Sequence, residues 1–180
     1  MGDELVDICD ENDTLTGEQR MKSEAHRLGL WHRVAHIWIA NLKGEILFQR
    51  RSKDKDIFPD RWDVAVTGHI DAGEDPVDAG IREAAEELGL SVRKERLDFL
   101  IKKKISAAFK DIRDNHFIYV FLLKSDVSLD ELSLQAEEVQ DARFMPLKDL
   151  RKDILEHPED YIVISDYHMK ILGLIEKKLG

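Results

Sequence analysis

Glu83, Glu86 and Glu87 stand at i, i+3 and i+4, so a helix would carry their carboxylates on one face about one turn long. Three like charges so placed repel one another, and helix propensity gives no reason for them. A solvated acidic face is the ordinary explanation of such a run. Here a glycine-containing loop, Gly68 to Gly73, leads into the helix and aims its start at a ligand. Clustered carboxylates on a rigid element suit hard divalent cations, above all Mg²⁺, with Mn²⁺ as a substitute. Such a cation neutralises phosphate charge, polarises phosphorus and lowers the pKa of a bound water. That is sufficient for hydrolysis of a diphosphate linkage without a covalent intermediate.

The segment around these glutamates is spaced regularly: Gly68, five residues, Glu74, seven residues, Arg82-Glu83, Ala84-Ala85, Glu86-Glu87, Leu88, Gly89 and Leu90. Its helix has local reasons to form. Asp75 is the expected N-cap, Pro76 suits a first turn whose N–H has no partner, and Asp78 suits the positive end of the dipole. Val77, Ile81, Ala84, Ala85 and Leu88 recur at helical spacing, and Gly89 is the expected stop. A strand over Trp62 to Thr67 runs directly into this segment.

The remaining elements follow from periodicity and turn signals. A short strand over Leu5 to Cys9 closes at the turn Asp10 to Asp13, and Thr16 to Leu28 reads as a polar helix or ordered loop. Val34 to Ala40 and Glu45 to Arg50 read as a hairpin turned at Asn41 to Gly44. Leu97 to Ile105, Phe117 to Leu123 and Ala142 to Met145 are further strands, the last stopped by Pro146. Leu147 to Leu155 is a helix ended by His157-Pro158. Tyr161 to Leu179, with Ile164, Met169, Leu172, Ile175 and Leu179, is a closing helix. Trp31 and Trp38 read as core or strand-packing residues. The sum is an α+β protein, an α/β/α sandwich with a mixed sheet flanked by helices.

Composition sets the class. With 43% hydrophobic and 36% charged residues over 180 positions, the chain is globular and most simply one domain, 1–180, with residues 1–30 as an N-terminal extension. The single Cys9 excludes an intramolecular disulfide and fits a reducing, cytoplasmic setting. The acidic start MGDELVDICDEND lacks the features of a signal peptide, and no long apolar run suggests a membrane span. A net charge of −10 argues against a nucleic-acid partner. The N-terminal segment and the last helix are the candidate surfaces for a homodimer.

Residues 68–90 fill every fixed position of the Nudix box, and the chain resembles the Nudix hydrolase family, including its MutT-like diphosphatases. The resemblance implies the Nudix fold, a small-molecule diphosphate substrate, and metal binding by Glu83, Glu86 and Glu87. It further implies that Arg82 orients the glutamates, that Glu74 supports the loop and Arg82, and that the main-chain carbonyl of Thr67 is another ligand. The family's general base varies; Glu137 or Glu138, in the acidic stretch Gln135 to Asp141, stands on a loop that can reach the site or on an ordinary surface turn.

A narrower resemblance, from about Val6 to Phe121, is to the isopentenyl-diphosphate isomerase branch. It rests on the N-terminal extension, the stretch Gln49 to Trp62 and Thr67-Gly68-His69. It implies that Arg51 and Lys55 grip a diphosphate, Arg in bidentate fashion and Lys as a point charge. The alternative is a solvated basic patch of Arg50, Arg51, Lys53 and Lys55 balancing Asp54 and Asp56. His26, His32 and His69 match histidines that hold a metal in that branch, where two Glu positions correspond here to Asp114 and His116. A second, histidine-rich metal site is thus a candidate, and its imidazoles would suit Zn, Mn or Fe.

Isomerisation needs an acid and a base on opposite faces of an alkene. The branch uses a Cys where this chain has Thr67 and a Glu where it has His116. The expected activity is therefore Mg²⁺-dependent hydrolysis of a nucleoside or organic diphosphate linkage. The alternatives are an isomerase-like enzyme and a non-catalytic Nudix-fold module that binds a phosphorylated metabolite.

Overall fold

The computed structural model describes residues 3–55, 57–109, 112–162 and 166–180. Asp56 and Ile164, each given a role above, lie outside the described residues, as do Met1 and Gly2. The central element is β3 (His32–Ala40), which is hydrogen-bonded on both sides. Among the described residues a seven-stranded sheet runs in the order β5 (Trp62–Val64), β4 (Glu45–Arg51), β3, β8 (Ile112–Lys124), β7 (Leu97–Phe109). β6 (Val66–His69) pairs with β3 and β9 (Val139–Pro146) with β4. The β3–β8 pairing is parallel and the others are antiparallel, so the sheet is mixed.

Alternation along β3 divides the core into two layers. Val34, Trp38 and Ala40 join Phe48, Ile118, Val120 and Leu122 beneath α3 (Leu147–Glu156) and α4 (Tyr167–Leu179). Ala35, Ile37 and Ile39 join Leu47, Val66 and Phe121 beneath Ala79, Ala84 and Leu88 of α2 (Pro76–Leu88). The protein is thus the expected sandwich of helices around a mixed sheet. A separate hairpin, β1 (Leu5–Cys9) and β2 (Leu15–Met21), packs with α1 (Lys22–Leu28) through Val6, Ile8 and Ala25. Trp38 is fully buried, and Trp31 packs on Phe117 with ring centroids 5.2 Å apart.

Helix α2 is capped as its sequence requires. Val77 N donates to the Asp75 side chain over 2.9 Å, Pro76 stands in the first turn, and Gly89 ends the helix at φ 67°.

Four expectations are corrected. Thr16 to Met21 is strand, because it has β1 as a ladder partner, and only Lys22–Leu28 is helical. Trp62 to Thr67 is two strands, because the chain leaves β4 after Val64 and joins β3 at Val66. β7, β8 and β9 run beyond the apolar stretches, carried by backbone pairing that polar residues make equally well. The closing helix begins at Tyr167, while Tyr161 and Ile162 are extended and held against Trp62.

His168 is a cost built into this core. It is 2% exposed, its two ring nitrogens are buried without a partner among the described residues, and burial holds its pKa down to about 4. Its surroundings are the rings of Trp38, Phe48 and Tyr167. His168→Leu is expected to stabilise the protein by about 1 kcal/mol near neutral pH, since an unpaired buried polar group is removed. The gain grows at lower pH. The unfolded histidine takes up a proton near 6.5 whereas the folded one does so only near 4, so wild-type stability is lost as pH falls across that window. Urea unfolding of both proteins at pH 7 and pH 5 checks this; an equal or smaller gain at pH 5 contradicts it.

Candidate active site

The ends of β3, β6 and β8, helices α1 and α2 and the loop after β4 enclose one cleft. It is lined by Glu83, Glu87, Thr67, Gly68, His69, His26, His36, Asp114 and His116, together with Arg51, Lys55, Asp63 and Glu138. Gly68 is required there. A Cβ at this position would stand 2.0 Å from the Glu83 carboxyl carbon, so only glycine lets the glutamate lie across the strand.

Arg82 fixes the glutamate side. It donates to both carboxylate oxygens of Glu74 (3.1 and 3.0 Å), to Glu83 Oε1 (2.6 Å) and to the His69 carbonyl (2.9 Å). Glu74 in turn accepts from Asp71 N, which ties the loop to the arginine. Glu87 is buried, and its Oε2 accepts from Thr67 N and from Gln49 Nε2, each at 3.2 Å. Glu83 and Glu87 therefore face the cleft together. Glu86 stands apart: its side chain is half exposed, lies 3.5 Å from Arg82 and is not part of the cleft wall. Burial pushes the Glu83 carboxyl up to about 7 against the opposing pull of Arg82, and it pushes Glu87 well above the usual range, with Glu83 adding to the effect. A buried and a half-buried carboxyl side by side are an environment that a divalent cation would relieve.

Arg51 donates to the Ile57 carbonyl and lies 4.0 Å from Asp63, while Lys55 is paired with Glu138. Both cations line the same cleft as Glu83 and Glu87, and Arg50 and Lys53 do not. Of the two acidic candidates that follow, Glu138 lines the cleft and Glu137 is exposed.

The histidines converge. His26, His32 and His69 bring one ring nitrogen each within 4.8 Å of one another, and His32, Asp114 and His116 form a second such group sharing His32. His32 Nδ1 is 3.0 Å from the Leu30 carbonyl, and His116 Nδ1 is 2.7 Å from Asp114. Both Nδ1 atoms must donate there, which leaves lone pairs on the Nε2 atoms. Those two Nε2 atoms are buried with no partner among the described residues. Burial holds His32 down to about 4 and lowers His26 and His69, so these rings are neutral bases near pH 7. Neutral imidazoles with inward lone pairs beside a carboxylate form a donor set suited to a transition metal.

Three contributors escaped the sequence reading. Gln49 holds Glu87; a glutamine at a buried position in an apolar strand was the signal. Glu4, whose buried Oε2 lies 3.4 Å from His69 Nδ1, comes from the N-terminal extension and carries no such mark. His36 reaches the cleft from mid-strand.

The NUDIX domain family matches residues 30–167. Nudix hydrolase 3 of Arabidopsis thaliana is 30% identical over 99% of this chain, which spans 24% of that protein's length. An uncharacterized Nudix hydrolase of Listeria monocytogenes is 38% identical over 80% of each chain. Among solved structures, DR0079 from Deinococcus radiodurans superposes with a TM-score of 0.69 over 94% of this chain and 97% of that one, at 22% identity. The NUDIX domain of Shewanella oneidensis NrtR, solved with ADP ribose, gives 0.60 over 82% and 88%, at 14% identity. At these identities the structural likeness concerns the fold.

Proposed function

Because this chain belongs to the Nudix family and is a hydrolase of pyrophosphate bonds, we propose that it is a Mg²⁺-dependent diphosphatase, cleaving a nucleoside or other organic diphosphate in the cleft between Glu83, Glu87, Arg51 and Lys55. The observation that carries this reading is the meeting of buried Glu87 and half-buried Glu83 with two cationic side chains, Arg51 and Lys55, in the lining of one cleft. Mg²⁺, or Mn²⁺ in its place, would be held by Glu83 and Glu87 with the Thr67 carbonyl, and supplies charge neutralisation and Lewis acidity. Glu86, half exposed beside Arg82, adds negative charge from outside the cleft wall.

The chain's own groups do the rest. Arg51 and Lys55 draw the diphosphate against the glutamates, exchanging the Ile57 carbonyl and Glu138 for phosphate oxygens. Arg82, braced by Glu74 and His69, keeps Glu83 from swinging out, and Gln49 with Thr67 N does the same for Glu87. Released from Lys55, Glu138 becomes the carboxylate available to take the proton of the attacking water. Phosphate or a phosphomonoester leaves.

We also place a second cation, a transition metal, among His26, His32, His69, His116 and Asp114. The two orphaned imidazole nitrogens support this reading. Elemental analysis of protein purified without added metal is expected to find about one equivalent of Zn, Mn or Fe, lost in His26→Ala and His69→Ala. Absence of a bound transition metal in the wild type would end the idea. The unpaired, buried Cys9 fits a cytoplasmic setting.

The test of the main reading is hydrolysis in Mg²⁺, followed by separation of the phosphate and phosphomonoester products, across nucleoside di- and triphosphates, ADP-ribose, dinucleoside polyphosphates, and isopentenyl and dimethylallyl diphosphates. Turnover of at least one member supports it. Saturable binding with no turnover points instead to a binding module, and interconversion of the two prenyl diphosphates to an isomerase.

A further inference from the structure

His36 sits in the wall of the cleft on β3, opposite Thr67 in the β3–β6 register. Its Nδ1 lies 2.7 Å from the hydroxyl oxygen of Tyr167, and Trp38 Nε1 donates to that same oxygen over 3.2 Å. An indole N–H can only donate, and a phenol has one proton. With the oxygen accepting from Trp38, the Tyr167 proton goes to His36 Nδ1. The opposite tautomer would strand that proton in a fully buried position, since Tyr167 is 0% exposed. Burial also keeps the imidazole in its neutral form. The ring is therefore locked with its proton on Nε2. No hydrogen bond from Nε2 is seen among the described residues, and the residue, 7% exposed, lines the cleft. A neutral imidazole with its Nδ1 tied to Tyr167 thus stands in the wall of a cleft that also includes Val34, Ile57 and Ile162.

We propose that His36 is a specificity-determining residue whose Nε2–H donates to an oxygen of the organic group carried by the diphosphate, selecting nucleoside- or sugar-bearing substrates over hydrocarbon ones. Tyr167 is its positioning residue. The proposal rests on the diphosphatase reading and names the class of substrate that site takes. Its physical basis is asymmetric. A hydroxyl, ether or carbonyl oxygen satisfies the donor, whereas a hydrocarbon chain buries it unpaired, and sites built to hydrogen-bond a substrate reject analogues lacking the partner. Nothing about this donor follows from the glutamate cluster, which handles the diphosphate whatever is attached to it.

The test measures kcat/KM for ADP-ribose and for isopentenyl diphosphate in the wild type, His36→Phe and His36→Gln. Long-range ¹⁵N–¹H NMR of the histidine rings is recorded in the wild type and Tyr167→Phe. The expected ring state is protonated Nε2 and bare Nδ1 in the wild type, turning into a tautomer mixture in Tyr167→Phe. His36→Phe is expected to lose roughly 10- to 100-fold on ADP-ribose and nothing on isopentenyl diphosphate. His36→Gln, whose amide nitrogen reaches a similar position, recovers most of the loss. A proton on Nδ1 in the wild type overturns the proposal, as do equal losses on both substrates. If the wild type cleaves neither compound, the diphosphatase reading fails separately. His36 is then judged by whether ADP-ribose, and not isopentenyl diphosphate, shifts its Nε2 resonance.

Discussion

Glu87→Gln is expected to lower turnover at least about 100-fold while leaving the fold intact. The side chain is 4% exposed and keeps its shape in the variant. Glutamine has one acceptor oxygen, and Thr67 N and Gln49 Nε2 both donate to Glu87 Oε2, so the amide can preserve these bonds with its oxygen turned the same way. What the variant lacks is the negative charge. Burial makes that charge expensive in the free protein, so the residue is kept for something that binds it, and a divalent cation is the partner the family chemistry supplies. The expected pattern is a fall in kcat with unfolding midpoints equal to or above the wild-type value, since an unfavourable buried acid is gone. Activity near the wild-type level would remove Glu87 from the reaction.

The second large effect comes from a residue with no side chain. Gly68→Ala puts a methyl group 2.0 Å from Glu83 Cδ and 2.2 Å from its Cγ and Oε1. The obstacle is the far end of a flexible side chain, so the backbone need not move and the protein still folds. Glu83 cannot stay. Displaced from the strand, it leaves its 2.6 Å contact with Arg82 and its place beside Glu87. The variant is expected to lose at least about 100-fold in kcat/KM, comparable with Glu83→Gln, and to show little additional loss when the two are combined. Steady-state kinetics of the single and double variants checks this. Additive losses would mean that Gly68 acts through something other than Glu83.

The box helix was legible because its determinants are local. Asp75, Pro76 and Gly89 act on their own backbone neighbours, and a spacing of three and four residues sets a helix face whatever the surroundings. Spacing could not say which carboxylates point inward. Gly68 and the packing of α2 on β6 turn Glu83 and Glu87 into the cleft and leave Glu86 outside, and that is a tertiary fact. Strands that owe their existence to a partner were the poorly legible ones. β2 has the composition of a polar loop and becomes strand against β1, and the chain breaks at Ala65 because it changes partner there. The histidine cluster came to notice through family resemblance alone, since His26, His69 and His116 are distant in sequence and meet only across α1, β6 and β8. Gln49 and His36 were hidden for another reason. A polar residue inside a strand is read as a fault in the apolar pattern until the partner that needs it is seen.

The most direct test of a cation-assisted attack of water on phosphorus is hydrolysis in ¹⁸O-enriched water, using a substrate from the diphosphate panel with Mg²⁺ and Glu87→Gln in parallel. The account predicts two phosphoryl products with one ¹⁸O atom in one of them and none in the other, and both product and label absent from the variant over the same interval. Release of the free organic alcohol with intact diphosphate, or undiminished labelled product from Glu87→Gln, would contradict it.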